Sequence, residues 1–363
     1  MYQEPASQSA NATQAALGAA LGRSSENDAR IHCDAGGLRY VDDTRPGLTR
    51  RKLRGKFVYF DASGKRITDS CVIERVNALA IPPAYEQVWI CPDETGHIQA
   101  TARDARGRKQ YRYHEQWSAI RDASKYQHLL EFAQALPRIR RQVKRDLALP
   151  GLKQEKVLAV VVRLLETTLI RVGTREYARS NKSFGLTTLR RKHTSLSGGK
   201  IRFKFRGKSG VEHDVTVNDR RVATVVKRCM DIAGQQLFHY VDDDGQPHVI
   251  DSGMVNLYLR MAGKGDFTAK HFRTWFGTVF ALRALQNEPW VSQTQAKKKI
   301  VEVVKSVSGR LGNTPSVCRA CYIHPRVLEA YEAGELPART PCAKPVGLTA
   351  DERRLVRFLS SAD

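Results

Sequence analysis

The sequence contains no apolar run that approaches the roughly 20 residues needed to span a bilayer. No basic amphipathic helix of the kind that lies on a membrane surface dominates it either. Its N-terminus lacks the charged start followed by an apolar segment that marks a secretory signal peptide. These absences argue against a membrane protein and against secretion, and they predict a cytoplasmic location.

Cysteine is scarce and poorly placed for a structural role, because the chain has only 7 cysteines, an odd number, spread along its length. Cys318 and Cys321 form a C-x-x-C pair, but no second pair or group of histidines lies near them in sequence. A four-ligand zinc site is therefore not expected, nor is the disulfide framework of a small secreted protein. We predict no metal site and no cofactor.

Acidic residues are also scarce beside basic ones. The chain has 37 Asp and Glu against 60 Lys and Arg, which gives a net charge of +23. This excess is larger than solubility requires and predicts a polyanionic partner. Duplex DNA carries one negative charge about every 1.7 Å of its axis, so distributed basic residues gain by displacing its counterions. We therefore expect duplex DNA as the partner rather than a membrane surface.

The residues that are present divide the chain into three parts. Residues 1–36 are rich in Ala, Ser, Gln and Asn and are expected to form a flexible tail. Residues 37–118 contain KFVYFDASGKRITD and QVWICPDETGHIQATARD, each with a turn sequence between two apolar runs, which predicts two hairpins. Residues 119–363 are predicted to be mainly helical. The expected fold class is α+β, with a small β-rich N-terminal DNA-binding domain and a larger, mostly helical catalytic domain.

Within the helical part, the most apolar helix is predicted in QEKVLAVVVRLLETTLIRVG, whose apolar residues cover much of its circumference. Arg171 is expected to end this helix and Gly173 to stop it. KIRFKFRGKSGVEHDVTV then changes to a period of two, which predicts an inserted hairpin with its turn at Gly207–Gly210. Further helices are expected in VATVVKRCMDIAG, in AKHFRTWFGTVFALRALQ and in TADERRLVRFL, whose first residues are spaced as a capping box.

Four of these residues could carry chemistry, and three of them have a simpler structural explanation. Arg171 is costly to bury unless it meets an anion, but a helix C-terminus also favours a cation. Lys208, on the hairpin turn, is either a proton donor or an exposed surface charge. Arg273 in KHFRTW either offers a fork of donors to phosphoryl oxygens or pairs with a carboxylate. Tyr322 is a candidate nucleophile that competes with the neighbouring cysteine pair.

The segment RDARGRKQYRYH, residues 103–114, interleaves basic and aromatic residues. Tyr111 and Tyr113 would share one face of a strand. Arg108 and Lys109 suit phosphate contacts, and Gln110 suits base edges, so the segment predicts a surface that reads a DNA groove. The alternative is a solvated basic loop.

From about residue 37 to the C-terminus, the chain resembles the poxvirus and bacterial type of DNA topoisomerase IB. The motifs that carry the resemblance are QATARDARGRKQYRYH, LETTLIRVGTREYARSNKSFGLTTLRRKH, FRGKSG, KHFRTW and LGNTPSVCRACYIHP. The resemblance implies two domains that form a clamp around duplex DNA, preferably supercoiled DNA. It also implies a monomeric, nucleoid-associated enzyme that relaxes supercoils through a 3′-phosphotyrosyl intermediate, without ATP or a metal ion.

The resemblance also implies roles for individual residues. Tyr322 is the nucleophile, Arg171 and Arg273 are the two arginines, Lys208 is the hairpin lysine, and Asn313 occupies the position of a histidine. The residues that fall where members of the family contact DNA are Gln110, Tyr111, Tyr113, Tyr177 and Lys270, to which the basic segment adds Arg108 and Lys109.

The chain departs from the poxvirus pattern at several of these positions. Asn313 can donate a hydrogen bond to a phosphate oxygen, but unlike histidine it cannot carry charge or transfer a proton. Ser209 replaces an aspartate that often follows the hairpin lysine. Thr174 and Glu176 replace basic DNA contacts, so the strict sequence preference of the poxvirus enzymes is not expected here.

Two other functions account for part of the pattern. A tyrosine recombinase or integrase uses a similar residue set but usually has His-x-x-Arg, where this chain has Lys270 and a histidine displaced by one. A non-catalytic DNA-binding protein would account for the charge and give Tyr322 and Lys208 no role. Cys318 and Cys321 are expected to fill space around the tyrosine helix, and His324 to belong to the N-cap region of the next helix.

Overall fold

Strands predominate in the first part of the chain and helices in the rest. The computed structural model describes residues 30, 33–34, 36–340 and 347–361, without the side chains of residues 118–125 and 127. The predicted flexible tail, residues 1–36, lies outside the described residues except at positions 30, 33, 34 and 36. The chain divides into two compact units between Lys125 and Tyr126. The functions assigned to residues 37–118 and 119–363, and the boundary between those two domains, stay predictions.

The first unit is built on an antiparallel sheet with the strand order β2-β1-β3-β4-β5. The strands are β1 Leu48–Leu53, β2 Lys56–Phe60, β3 Glu86–Ile90, β4 Ile98–Arg103 and β5 Lys109–Tyr113, and helix α1 is Ser70–Ala78. Alternate residues of the strands, including Ile90 and Ala100, pack with Val76 of α1 into one apolar cluster. The predicted hairpin of β3 and β4 is confirmed.

The hairpin predicted within KFVYFDASGKRITD is present only in reduced form. The chain turns back after β2 and closes the turn with one antiparallel bridge, Phe60↔Arg66, rather than with a second strand. Strand β2 instead pairs along its whole length with β1, which precedes it. Arg54 and Gly55, which join β1 to β2, have φ of 45° and 83°. Two successive positive φ values are what a tight two-residue hairpin turn requires. The many charges in TRRKL concealed β1 from a search for apolar alternation.

Helices form most of the second unit, and the first helix begins before it. The helices are α2 Glu115–Asp146, α3 Gln154–Thr168, α4 Arg175–Asn181, α5 Arg220–Asp231, α6 Ser252–Gly263, α7 Ala269–Leu285, α8 Gln293–Leu311, α9 Pro315–Tyr322, α10 Pro325–Ala333 and α11 Ala350–Ser360. Among the helices of the described residues, none is both long enough and apolar enough to cross a membrane.

Helix α3 is the centre of the second unit's core, as its apolar pattern predicts. Its residues from Val157 to Val162 are all buried, so no face of this stretch is free for water. The helix ends earlier than predicted, at Thr168, and Leu169 follows in a left-handed conformation with φ of 56°. Thr168 turns its hydroxyl back onto the carbonyl of Leu164 at 2.6 Å. Arg171 therefore lies in the loop beyond the helix, and Gly173 does not stop it.

A three-stranded antiparallel sheet, β6-β7-β8, is inserted between the helices. Its strands are β6 Thr194–Ser197, β7 Lys200–Arg206 and β8 Glu212–Asn218, and a separate pair consists of β9 His239–Val241 and β10 Pro247–Val249. In β7 the apolar residues are buried and the basic ones exposed, in strict alternation. The predicted hairpin is therefore confirmed, and it presents its turn, with Lys208, at the end of β7.

The last helix is joined to the core by a buried ion pair. Glu352 is fully buried and accepts hydrogen bonds from Arg140 of α2 at 2.7 and 2.9 Å. The same carboxylate closes the predicted capping box with Thr349. Because one carboxylate serves both the helix cap and the core, α11 is anchored at its first turn.

Candidate active site

Tyr322 is the last residue of α9, and its backbone is held against α7. Thr314 caps the start of α9 and Pro315 occupies its first turn. A Cβ atom at Gly277 would lie 2.5 Å from the carbonyl oxygen of Tyr322, so this approach of two helices requires glycine. The hydroxyl of Tyr126 donates to the carbonyl of Ile323 at 2.8 Å. The backbone of Tyr322 is thus held by the close contact with Gly277 and, one residue later, by the hydrogen bond from Tyr126.

Arg273, in the second turn of α7, lies beside the ring of Tyr322. Its guanidinium carbon is 5.1 Å from the ring centroid, and the side chain is buried. It donates to the carbonyl of Leu311 at 2.6 Å and to the carbonyl of Leu169. Leu311 is the last residue of α8 and Leu169 directly follows α3, so a single guanidinium holds two helix ends together.

Arg171 binds the turn that follows α8. It donates to the carbonyl of Gly312 at 3.1 Å and to the side-chain oxygen of Asn313. Gly312 ends α8 in a left-handed conformation with φ of 58°, which turns Asn313 toward Arg171. Arg171, Arg273 and the pair Asn313 and Tyr322 come from three different motifs, and the structure brings the four residues into one group.

The two guanidiniums lie in a place that disfavours positive charge. Burial lowers the pKa of Arg171, an effect that the neighbouring Tyr322 and Tyr177 oppose. Burial also lowers the pKa of Arg273, and the charge of Arg171 lowers it further. Within the described residues no carboxylate forms an ion pair with either arginine. A buried charge without a counter-charge costs several kcal/mol, so this group is suited to bind an anion.

Two donors in the group have no partner among the described residues. The Nε of Arg273 and the Nδ2 of Asn313 are both buried and make no hydrogen bond. Because a guanidinium only donates, the bond from Arg171 fixes the oxygen of Asn313 on that side and leaves its NH2 group free. An unpaired buried donor costs about 1–3 kcal/mol, so these donors would gain by meeting an acceptor such as a phosphate oxygen.

Lys208 lies on the turn between β7 and β8 and is exposed. Its Nζ is 5.7 Å from the ring centroid of Tyr177, and Tyr177 in turn is close enough to Arg171 to affect its pKa. No hydrogen bond in the described part of the chain joins Lys208 to the other four residues. The structure therefore places Lys208 next to the group but not in contact with it.

One residue near the group was missed from the sequence. Within the described residues, His213 of β8 makes no hydrogen bond to Tyr322 or Lys208. Burial lowers the pKa of His213, and the charges of Arg171 and Arg273 lower it further. A signal was available in the sequence, since His213 has the same alternation as Val215 and Val217 and therefore lies on the inward face of the strand.

The predicted DNA contacts of the first unit lie together on β5 and the turn before it. Tyr111 and Tyr113 stack with their ring centroids 5.9 Å apart, as their spacing predicts. Lys109 forms an ion pair with Asp43 at 2.5 Å. The same turn holds two more of the predicted contacts: Asp104 accepts from Arg108 at 2.6 Å and from Gln110 at 3.0 Å.

Two predicted contacts lie in the second unit. Lys270 is exposed in the first turn of α7, three positions before Arg273. Tyr177 is half-buried in α4, whose N-cap is Thr174. Lys270 lies near the group around Tyr322 because it shares α7 with Arg273. Tyr177 lies next to Lys208, which is itself next to that group.

The remaining candidates have structural roles. His324 is the N-cap of α10 and accepts from the backbone of Arg326, as predicted. Cys318 is fully buried and Cys321 partly buried, both as free thiols, which agrees with space-filling roles. His271 accepts from the backbone N–H of Thr268 at the start of α7, so it caps that helix.

The fold and this group define a class of protein: an α+β protein in which a tyrosine lies beside two arginines that form no ion pair within the described residues. Two family descriptions match the chain: the catalytic core of eukaryotic DNA topoisomerase I over residues 114–337, and the N-terminal domain of bacterial DNA topoisomerase IB over residues 56–104. The chain belongs to the type IB DNA topoisomerase family.

Individual relatives agree with this assignment. DNA topoisomerase 1B of Acanthamoeba polyphaga mimivirus is 32% identical over 294 residues, which cover 79% of this chain and 88% of the viral protein. DNA topoisomerase 1B of vaccinia virus (strain Copenhagen) is 24% identical over 248 residues, or 68% of this chain and 75% of the relative. These similarities favour a topoisomerase over a recombinase.

A solved structure of the XerH site-specific recombinase bound to its difH substrate has 15% sequence identity and a TM-score of 0.32 to this chain. The alignment covers 54% of this chain and 52% of the recombinase. A score this low does not establish a shared fold.

Proposed function

We propose that this protein relaxes supercoiled duplex DNA by cutting and rejoining one strand, without ATP and without a metal ion. The observation that carries the proposal is the position of the Tyr322 ring beside Arg273, with Arg171 and Asn313 in the same group. The Nε of Arg273 and the Nδ2 of Asn313, which have no partner within the described residues, are donors that the oxygens of a phosphodiester would satisfy. A tyrosine nucleophile and fixed cations are the parts that a reversible phosphoryl transfer needs.

The proposed step exchanges one phosphoester for another. The phenolic oxygen of Tyr322 forms a bond to phosphorus as the bond from phosphorus to the 5′-oxygen breaks. The strand is left with a 3′-phosphotyrosyl link and a 5′-hydroxyl. The downstream duplex turns about the intact strand, and the 5′-hydroxyl then attacks phosphorus and releases the tyrosine. Because bond energy is kept in the ester, torsional strain in the DNA is sufficient to drive relaxation.

Two proton transfers accompany each exchange. A tyrosine side chain ordinarily has a pKa of about 10 and must lose its proton to attack, while the leaving 5′-oxygen must gain one. We assign the second transfer to Lys208, and general-acid catalysis of this kind is worth about 10²–10⁴ in rate. Lys208 is exposed, and its ammonium group makes no hydrogen bond or ion pair in the described part of the chain. It is therefore free to move toward the 5′-oxygen when DNA binds.

Arg171, Arg273 and Asn313 are proposed to bind the non-bridging phosphate oxygens. Arg273 uses one N–H of each terminal nitrogen on backbone carbonyls, so most of its donors stay available. Fixed cations at this position supply the charge stabilisation that many nucleases obtain from Mg²⁺. Asn313 adds a neutral donor, which binds an oxygen but takes no part in proton transfer.

The wider DNA contact is proposed to involve both units as a clamp around the duplex. Stacked Tyr111 and Tyr113, with Gln110, suit the bases or sugars of one groove, and the basic residues suit phosphates. The proposed contacts are Arg108, Lys109, Gln110, Tyr111, Tyr113, Tyr177 and Lys270. Since one chain supplies every proposed catalytic residue, we propose a monomer that acts on DNA in the bacterial nucleoid, in the cytoplasm.

Plasmid relaxation tests this function. Positively and negatively supercoiled plasmids are incubated with the protein in EDTA, without ATP, and topoisomers are separated on a gel. We expect both signs to be relaxed by the wild type. Tyr322→Phe, which removes only the nucleophilic oxygen, should bind DNA and relax neither. If well-folded wild-type protein relaxes neither plasmid, the proposed function is wrong.

A further inference from the structure

His213 lies where the hairpin that carries Lys208 meets the catalytic group. It stands directly opposite Phe205 in the register of β7 and β8. The two rings stack with centroids 4.8 Å apart and planes within 8° of parallel. Phe205 is buried in the core of the second unit, so the position of the histidine ring is set by the core rather than by solvent.

The ring of His213 packs against the backbone of two turns. A Cβ atom at Gly207 would lie 2.6 Å from its Cδ2 and Nε2 atoms, and one at Gly312 would lie 2.7 Å from its Cε1 atom. Real side chains do not approach so closely, so both positions need glycine for the ring to fit. Gly207 directly precedes Lys208, and Gly312 directly precedes Asn313. One ring therefore touches the turn of the lysine and the turn of the amide.

The chemical surroundings of His213 distinguish it from an ordinary core histidine. Neither ring nitrogen makes a hydrogen bond within the described residues. The charged groups that face the ring are Arg171, Arg273 and Glu212. Burial lowers the pKa of His213, and the two arginines lower it further, so the ring is neutral near pH 7. A neutral ring adds no repulsion to the paired arginines and can pack against them.

The two turns differ in how they are otherwise held. The Asn313 turn is bound by Arg171 at Gly312 and by Arg273 at Leu311. The Lys208 turn is closed only by backbone bonds within it, the shortest from the N–H of Gly207 to the carbonyl of Val211 at 2.7 Å. Within the described residues, the side chain of Lys208 makes no hydrogen bond to the rest of the group. Removing the ring of His213 would therefore release the lysine turn far more than the amide turn.

We propose that His213 is a positioning residue that holds the Lys208 turn in register with the Gly312–Asn313 turn. This inference rests on the proposed function, because it assigns His213 a part in proton donation to the leaving strand. His213 itself does not touch the reacting atoms. It acts through Lys208, by fixing the distance between the ammonium group and the phosphate that Asn313 and the arginines bind.

The test compares two leaving groups at one mapped cleavage site. One duplex carries the natural 5′-oxygen, and the other carries a 5′-bridging sulfur, which leaves as a thiolate and needs no proton. Single-turnover formation of the covalent complex is measured for both. Misplacing a catalytic group by about 1 Å can cost about 10²-fold, and we expect His213→Ala to lose about that much on the oxygen substrate. On the sulfur substrate most of the loss should disappear.

Combination with Lys208→Ala gives a second readout. If His213 acts through the lysine, the double variant His213→Ala/Lys208→Ala should be no slower than Lys208→Ala alone. Three results would each overturn the proposal. His213→Ala could be slowed equally on both substrates, it could cleave both at the wild-type rate, or the losses could be additive in the double variant.

Two further variants separate positioning from loss of folding. His193 is the matched control, since its ring packs on Phe184 at 4.5 Å and on Phe205, the ring that also supports His213, at 6.3 Å. Unlike His213, it is not among the atoms nearest to a Cβ at Gly207 or Gly312, so it reports the effect of lost packing on Phe205 alone. His193→Ala should leave the ratio of the two rates unchanged, and the same sulfur-dependent recovery there would contradict a specific role. Gly207→Ala provides the converse change, because the added Cβ would push the His213 ring away. The backbone at Gly207 is extended, a conformation that alanine accepts, so the substitution itself causes no backbone strain.

Gly207→Ala is expected to reproduce the loss on the oxygen substrate and the recovery on sulfur, and adding His213→Ala should not deepen it. Thermal unfolding of each variant establishes that it is folded. Failure of this inference is distinguishable from failure of the proposed function. If wild-type protein forms no covalent complex on either substrate, the function is wrong, whereas a wild-type complex with an unaffected His213→Ala refutes the role of His213 alone.

Discussion

At the scale of single residues, Asn313 is the position where this chain departs most from the pattern it resembles. Its oxygen accepts from Arg171, and its buried Nδ2 has no partner in the part of the chain that the structure describes. The arginine therefore determines which end of the amide faces the phosphate. A side chain with only an acceptor in place of Nδ2 could not donate a hydrogen bond to a phosphate oxygen.

We predict that Asn313→Asp slows strand cleavage strongly. Aspartate keeps the acceptor for Arg171 and nearly the same shape, but it replaces the donor by an oxygen and brings negative charge toward the phosphate. Loss of one donor to a developing oxyanion typically costs about 10²–10³ in rate. Single-turnover cleavage measures the effect, and Asn313→His, which keeps a donor, is the matched control. A fully active Asn313→Asp would show that the amide does not donate to the phosphate.

Prediction from the sequence was most successful where a residue's neighbours in the chain determine its place in the secondary structure. Tyr322, Arg273 and Lys208 stand in short motifs, and the structure places each on the element that its motif predicts. The contact between Asn313 and Arg171 joins positions far apart in the chain. The local sequence of neither residue predicts this contact, because the contact depends on the left-handed turn at Gly312.

At the scale of secondary-structure elements, the ends of elements were harder to predict than their existence. The apolar pattern of α3 predicts its buried faces but not its end, since the apolar residues continue beyond Thr168. The end is determined by threonine hydroxyls that bind helix carbonyls and by the left-handed Leu169, a competition between side chain and backbone that periodicity does not record. This early end moves Arg171 into the loop that meets Gly312.

The element-scale prediction concerns the anchoring of α11 by Glu352. Burial alone would raise the pKa of this carboxyl, but its hydrogen bonds and the charge of Arg140 hold the pKa below its usual range. Removing one partner of a buried ion pair costs about 3–5 kcal/mol. We expect Glu352→Ala to lower the unfolding free energy of the second unit by roughly that amount, measured by urea denaturation.

The pH dependence of this contribution follows from the sign of the shift. A pKa that is lower in the folded state means stabilisation that is present at neutral pH and lost as acid protonates the carboxyl. The wild type should therefore lose more stability than Glu352→Ala on going to low pH. Asp214→Ala, which breaks the exposed pair with Arg202, is the control and should change stability little. Equal acid sensitivity of wild type and Glu352→Ala would contradict this role.

At the scale of the whole molecule, the basic residues behind the net charge of +23 are not equally free to bind DNA phosphates. Arg108 and Lys109 already have carboxylate partners, Asp104 and Asp43, so DNA must compete with those ion pairs. Lys270 is exposed, and no ion pair engages it in the described part of the chain. We therefore expect Lys270 to contribute more to counterion release than the ion-paired residues do.

We predict that duplex binding weakens steeply with salt, with a log–log slope of about −0.9 for each phosphate neutralised. Lys270→Ala should make the slope shallower by about one unit. Lys297→Ala removes a charge that Glu332 already pairs at 3.5 Å, so it should leave the slope nearly unchanged. Fluorescence anisotropy with a short duplex measures all three slopes, and a flat salt response of the wild type would contradict the proposed clamp.

The account depends most on Tyr322 as the residue that becomes joined to DNA, and mass spectrometry of the trapped covalent complex tests it most directly. Wild-type protein is incubated with duplex, denatured and digested with a protease and a nuclease. The account predicts a peptide linked through the oxygen of Tyr322 to a 3′-phosphate, with a 5′-hydroxyl on the other end of the cut strand. A link to any other residue, or to a 5′-phosphate, would contradict it.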